Sequence, residues 1–390
     1  MRDQAATISA PRPLLRRSSL LPDESLPSLV ARLAWLNGYE PPTLLDRFCL
    51  AEVPAHLCRG TVDCWPPAAA FLRLAALTTI SVADLYRASA HRFAPILTLP
   101  ATVQPEGLDA DGEELPVLDG TVILGHVRPS LTAQFCPRCL EDAVYHRLTW
   151  TPYAIAACLE HRCLLVQQCP GCHRPVTISM VTVATCHSCG TDLRTASAQD
   201  FSGDVWALQA QELIYGWLGL AQVPDVCTDA LPDPRPAVCY GVLDVMRRLV
   251  MRSSPTWDYW HHISSDMTAP HRGLLELTPV EIASVYATAM KGLRGWPESL
   301  STFLHAYRSA GTTGQAAVDG EEVYDNGRVL LWLIAHWLHP AYERVREELH
   351  NYLRSECRLW AWEDGGRATI LECFHELCAA AVAASADVMS

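Results

Sequence analysis

Eight residues between positions 136 and 189 fall into four pairs with one inner spacing: Cys136-x2-Cys139, Cys158-x2-His161, Cys169-x2-Cys172 and Cys186-x2-Cys189. Two soft donors three residues apart on a tight turn can face a single point. That is how thiolate and imidazole ligands reach a tetrahedral zinc ion. Eighteen residues separate the first two pairs and thirteen the last two, enough for a hairpin or a short helix. Pro137, Pro170, Gly171 and Gly190 stand in or beside the pairs, where turn chemistry places them. The spacing therefore predicts two structural zinc ions, one on each set of four. Cys163, His173 and His187 lie beside these ligands, and His161 against Cys163 is the choice that spacing leaves open.

Other chemistries fit the pattern less well. Seven ordinary buried cysteines and a histidine would not fall into four such pairs. A redox C-x-x-C wants a thioredoxin-like βαβ setting. A catalytic zinc keeps one position open, whereas each set here supplies four side chains. There is no convincing P-loop, G-x-S-x-G, H-E-x-x-H or three-carboxylate set, so the chain reads as non-enzymatic. Cys49, Cys58, Cys64 and His56 have irregular spacing and read as buried side chains rather than a third metal site. Cys357, Cys373 and Cys378 fall in helical patterns and read as core. His261, His262 and His271 read as surface or capping residues. The run Trp257-Asp258-Tyr259-Trp260 suits either core packing or a partner contact.

The bulk composition bounds the rest. A chain of 390 residues that is 49% hydrophobic and 19% charged has material for two or three cored domains. No export signal is read in Met1 to Leu20, and no stretch of eighteen uncharged apolar residues exists to span a membrane. A cytoplasmic location is expected. Disulfides are rare there, so the sixteen cysteines point to metal. The net charge is −13: about +2 over residues 1–100, −5 over 101–200 and −10 over 201–390. Lys291 is the one lysine. A free-standing duplex-DNA binder shows a basic surplus, and this chain does not. Nucleic-acid contact is then expected to be local, or made through other proteins.

The elements that must position the pairs read as mainly α with small β. Asp23 and Ser25 are candidate N-caps for a helix through Leu26, Leu29, Val30, Leu33 and Leu36, ended by Asn37-Gly38. Pro41-Pro42 opens a short helix through Phe48. Pro66-Pro67 opens another over Ala68–Leu77. Thr78-Thr79-Ile80 makes a turn, and Ser81 with Asp84 resembles a capping box for Ser81–Ala90. The last two helices have helix-turn-helix dimensions. There Ser81–Ala90 would be the reading helix, with Ser81 and Arg87 as candidate nucleic-acid or partner contacts. Short β-prone segments are read at Leu164–Gln168 and Val176–Val183. Helices are expected at 204–222, 238–252, 279–293, 341–357 and 367–384, with a Gly/Thr-rich loop at 309–320. The expected layout is a flexible tail (1–22), an N-terminal helix-turn-helix domain (23–100) and an acidic linker (101–120). A tandem zinc-ribbon or zinc-finger module (121–200) and a C-terminal helical domain (201–390) follow.

Several stretches carry a family resemblance. Leu21-Pro22-Asp23-Glu24-Ser25-Leu26, Ala31-Arg32-Leu33 and Asn37-Gly38 resemble the opening of TniQ/TnsD transposition proteins. Phe135-Cys136-Pro137-Arg138-Cys139-Leu140, Tyr145-His146-Arg147-Leu148-Thr149-Trp150 and Cys158-Leu159-Glu160-His161 resemble the TniQ zinc module. So do the pairs at 169–172 and 186–190. The resemblance covers roughly residues 20–195. It implies a target-selection factor of a bacterial transposon that couples a targeting signal to an AAA+ ATPase regulator and the transposase. Short members can bind an RNA-guided Cascade complex with its guide RNA, sometimes as a head-to-tail homodimer. TnsD-type members read an attachment site directly. The length and acidic balance favour the adaptor, and autonomous recognition of target DNA is the alternative.

Overall fold

The computed structural model describes residues 13–40, 68–97, 105–108, 114–116, 126–127, 132–222, 231–252, 277–310, 337 and 340–356. The Pro41–Phe48 helix, the Cys49/His56/Cys58/Cys64 group, the 257–271 aromatics and histidines, the 367–384 helix and the three C-terminal cysteines lie outside them. So does nearly all of the 309–320 loop. The chain forms two compact units, Met1–Asp204 with Pro270–Ala283, and Val205–Ala269 with Ser284–Ser390.

The first unit opens with α1 (Leu26–Leu36). Ser25 is its N-cap, and Pro27 sits in its first turn, where a missing N–H costs nothing. Leu26, Leu29, Val30 and Leu33 are buried as one stripe. Gly38 ends the helix with φ +73°, a conformation a side chain resists. Helices α2 (Ala68–Thr78) and α3 (Val82–Arg87) follow and pack together. Thr79 between them has φ +63°. Ser81 caps α3 as expected: its Oγ accepts from the Asp84 amide at 3.1 Å, and it donates to the Asp84 carboxylate at 2.7 Å.

Three expectations change here. The helix starting after Ser81 stops at Arg87, because Ser89 turns back and donates to the Tyr86 carbonyl through both Oγ (2.7 Å) and N–H (3.0 Å). A 3₁₀ turn (Ala90–Phe93) and α4 (Ala94–Leu97) then begin. Residues 13–22 are not a free tail: Leu14 is buried and donates to Leu77 O at 2.9 Å, and the Asn37 amide clasps Arg16. Within the acidic stretch, β1 (Pro105–Leu108) pairs antiparallel with β2 (Glu114–Pro116).

The cysteine-rich part contains α5 (Pro137–Asp142), the two-residue strands β3 (Ala157–Cys158) and β4 (Cys163–Leu164), and α6 (Ile178–Thr182). The β-prone reading of Val176–Val183 is wrong. Thr177 caps a helical turn by accepting from the Met180 amide at 3.3 Å, and Ile178 and Val181 bury one face of it. Packing overrides β-branched propensity. Helix α6 packs on α1, and α5 packs on the turn Leu193–Thr195.

The second unit contains α7 (Val205–Trp217), α8 (Pro236–Arg252), α9 (Pro279–Leu293), whose first turn groups with the first unit, α10 (Glu298–Ala310) and α11 (Glu343–Glu356). Helix α10 is absent from the sequence reading because its apolar spacing is short and polar residues interrupt it. A buried Arg247–Asp244 pair stands beside Tyr286, with the guanidinium 5.9 Å from the ring centre. No helix among the described residues is long and apolar enough to cross a membrane.

Candidate metal centres and the clamp that holds them

The structure gathers the eight residues into two sets of four, Cys136/Cys139/Cys158/His161 and Cys169/Cys172/Cys186/Cys189. In the first, His161 Nδ1 lies 3.6, 3.2 and 3.6 Å from the sulfurs of Cys136, Cys139 and Cys158, and the Cys139 and Cys158 sulfurs are 3.6 Å apart. Ligands about 2.0–2.3 Å from one zinc would lie about 3.5–3.8 Å from each other. The imidazole turns its other nitrogen to Asp142, 3.6 Å away, as an orienting carboxylate would. Cys136 is the N-cap of α5, so the first pair rides a helix start. The second pair sits at the β3 end, with Arg162 at φ +48° just after His161.

The second set is two tight turns of one kind. Cys169 N–H donates to Arg174 O at 2.9 Å, and Cys186 N–H to Thr191 O at 2.9 Å. His173 and Gly190, each just after the second cysteine of a pair, have φ +59° and +75°. The Cys169–Cys189 and Cys172–Cys186 sulfurs are 3.5 and 3.7 Å apart. A Cβ on Gly171 would strike the Thr191 hydroxyl, so only glycine fits that turn.

Crowded thiols cannot all ionise unaided. Hydrogen bonds from the Cys139, Cys158 and Cys163 thiols hold Cys136 far below the usual thiol range, while contact with Cys136 pushes Cys139 and Cys163 well above it. Cys158 rises to about 11, first through Cys136. At the other centre the Thr191 hydroxyl, 3.1 Å from the sulfur, lowers Cys189 to about 6. A divalent cation amid such donors lets every thiolate form. The donor sets suit zinc in chemistry and spacing.

What sequence reasoning missed is the polar clamp between the N-terminal motif and the centres. Ser25 donates its amide to His146 O (2.9 Å), and Ser25 Oγ lies 2.9 Å from His146 Nδ1. Leu148 N–H donates to Asp23 O at 2.7 Å, and Tyr145 Oη to Pro22 O at 2.8 Å. The Thr149 amide (3.2 Å) and hydroxyl both donate to the Asp23 carboxylate. Asp23 is therefore a tie and not the N-cap, and it takes φ +54° to reach. Ser28 Oγ accepts from the His146 amide at 3.1 Å, donates to Glu24 at 3.0 Å and lies 3.3 Å from Thr182 Oγ1 on α6. Arg147 pairs with Glu160 at 2.8 Å and sits 5.9 Å from the Tyr145 and Trp150 ring centres. The usable signal was polar residues such as Ser28 inside an otherwise apolar stripe.

His146 is fully buried, and desolvation lowers its pKa from 6.5 to about 3. The folded value lies below the unfolded one, so the unfolded chain takes up a proton that the folded chain refuses. This group costs no stability above pH 6.5 and up to about 1.4 kcal/mol per pH unit as pH falls from 6.5 toward 3. In NMR the His146 ring is expected not to titrate between pH 8 and about 5 while the protein stays folded. A ring titrating near its free value would show that it is not shut away.

Ser81 and Arg87 stand apart from the clamp. Ser81 is committed to capping α3, and Arg87, 68% exposed, pairs with Asp84 at 3.1 Å.

Taken together, the fold and site define a class of protein: a helical arm bolted by buried polar contacts to paired cysteine turns. The TniQ family model matches residues 15–165, so this region of the chain is similar to TniQ proteins. The matched region contains both halves of the clamp and the first centre, and ends before Cys169. A TniQ domain implies a transposition-associated role in target selection. No curated protein matches the chain.

Proposed function

We propose that this protein is a non-enzymatic target-selection adaptor of a transposon, joining a targeting complex to an AAA+ regulator and, through it, to the transposase. The observation that carries this reading is the TniQ match over residues 15–165, whose two motifs at 21–26 and 145–150 lock onto each other. Cys136, Cys139, Cys158 and His161 hold one zinc, and Cys169, Cys172, Cys186 and Cys189 the other. Both ions are structural, since four side chains fill each site. The proposed layout keeps residues 23–100 as a helix-turn-helix domain and 101–120 as an acidic linker. Residues 121–200 are the zinc module, and 201–390 a C-terminal helical domain. The proposed setting is the bacterial cytoplasm, with Cascade and its guide RNA as the targeting complex and a homodimer as the working form.

A second reading, autonomous recognition of an attachment site, draws on α2, α3 and the tight turn between them. Helix α3 has six residues, about 9 Å of helix, little to lay in a major groove. Arg87 already has a carboxylate partner, and the net charge of −13 opposes phosphate binding. These points favour the adaptor. A gel shift of the zinc-loaded full chain on transposon-end and attachment-site duplexes separates the two. Weak, sequence-indifferent binding is expected, together with co-elution with an AAA+ transposition regulator. Tight, salt-sensitive, sequence-selective binding without partners, abolished by Arg87→Ala, would replace the adaptor reading with the second one.

A further inference from the structure

Cys163 belongs to neither set of four, yet its thiol lies against one ligand of the first centre. Its residue is 1% exposed, and its Sγ lies 3.5 Å from Cys136 Sγ. That is close to the separation of two sulfurs on one zinc, about 3.8 Å for metal–sulfur bonds of about 2.3 Å. Its backbone is fixed. Cys163 sits directly opposite Cys158 in the β3–β4 pair and bridges to Asp200 on its other side. His161, in contrast, stands at the rim, its side chain 20% exposed and steadied by an exposed Asp142. Arg138, which donates to His161 O at 3.4 Å, places positive charge beside Cys163. The centre thus has four gathered donors, with a fifth thiol against one of them. The outermost is an imidazole and the spare one is a buried thiol.

We propose that Cys163 is a reserve ligand of the first metal centre, taking the place of His161 to give a four-thiolate site. This rests on the zinc reading above. In the exchange the metal–Nδ1 bond breaks and a metal–Sγ bond forms. The Cys163 proton passes to the released imidazole, or to solvent when that ring is absent. No electrons move, and the metal stays divalent. The centre therefore keeps its ion when His161 is withdrawn, and α5 stays joined to the β3–β4 pair. Soft thiolate donors are the ligand type that zinc accepts in place of imidazole.

The test counts zinc by elemental analysis in the full chain as wild type, His161→Ala, Cys163→Ser and the double variant. Two zinc are expected in the wild type and in each single variant, and one in the double. Cobalt-loaded His161→Ala should show a stronger thiolate-to-metal charge-transfer band than the wild type, in step with one added thiolate. An insoluble His161→Ala, one zinc in that variant, or a double variant that still holds two, each overturns the reserve role. Fewer than two zinc in the wild type overturns the zinc reading itself, and the proposal with it.

Discussion

Purified protein is expected to hold two zinc ions per chain, and Cys172→Ser or Cys136→Ser to be insoluble or to lose the cooperative unfolding of the first unit. The reason is one of scale. Structural zinc supplies roughly 10–16 kcal/mol of apparent binding free energy in small modules. A whole domain is stable by only about 5–15 kcal/mol. The strands here are two residues long, and the turns around Cys169 and Cys186 pack few large side chains, so no β core replaces the ion. Loss is not expected to stay local. Helix α6 joins the second centre's loop to α1, and α5 leans on the turn Leu193–Thr195. Chelation should therefore lower protection along α1 as well, which hydrogen exchange reads directly. A Cys172→Ser chain that is soluble, holds one zinc and protects α1 normally would sink the idea that the two centres scaffold one unit.

Arg32→Ala is expected to cost about 3–5 kcal/mol, because it strands a buried carboxylate. The Glu24 side chain is 0% exposed, and Arg32 meets it with two nitrogens at 2.7 and 2.6 Å. Arg32 also donates to Ser18 Oγ at 2.7 Å and Ser19 O at 2.9 Å, so it pins residues 18–19 to α1. The remaining partners of Glu24, the Leu21 amide and the Ser28 hydroxyl, are neutral and cannot balance its charge. Urea unfolding followed through the fluorescence of buried Trp150 measures the loss. Arg32→Lys should recover only part of it, since an ammonium cannot match both carboxylate oxygens at once. A loss below about 1 kcal/mol would mean that the pair behaves as an exposed surface bridge.

The family motifs take on a physical meaning from this geometry. Residues 21–26 and 145–150 are more than a hundred positions apart, yet they exchange backbone and side-chain hydrogen bonds at Ser25–His146, Asp23–Leu148 and Asp23–Thr149. Each motif looks like a helix start or a loop by itself. Together they are one joint between the arm and the first metal centre. The matched region ends at residue 165, just after this joint and the first centre are complete.

Local chemistry made the metal pairs legible. A C-x2-C turn sets its two donors through three residues of backbone, so spacing predicted both sets of four save the choice of His161 over Cys163, and the structure brings each set together with His161 in the first. The helix of Leu26–Leu36 and the Ser81–Asp84 cap were legible for the same reason. The tertiary structure alone decided what depends on distant partners. Thr177 to Val183, with five β-branched residues in seven, became a helical turn because α1 offered it a surface to pack on. Asp23 left the cap position to bind Thr149, 126 residues away. Cys163 came beside Cys136 only once the β3–β4 pair laid it there. A short spacing dictates what its own turn can hold. Which donors share a centre, and what that centre supports, is settled by contacts between residues far apart in the chain.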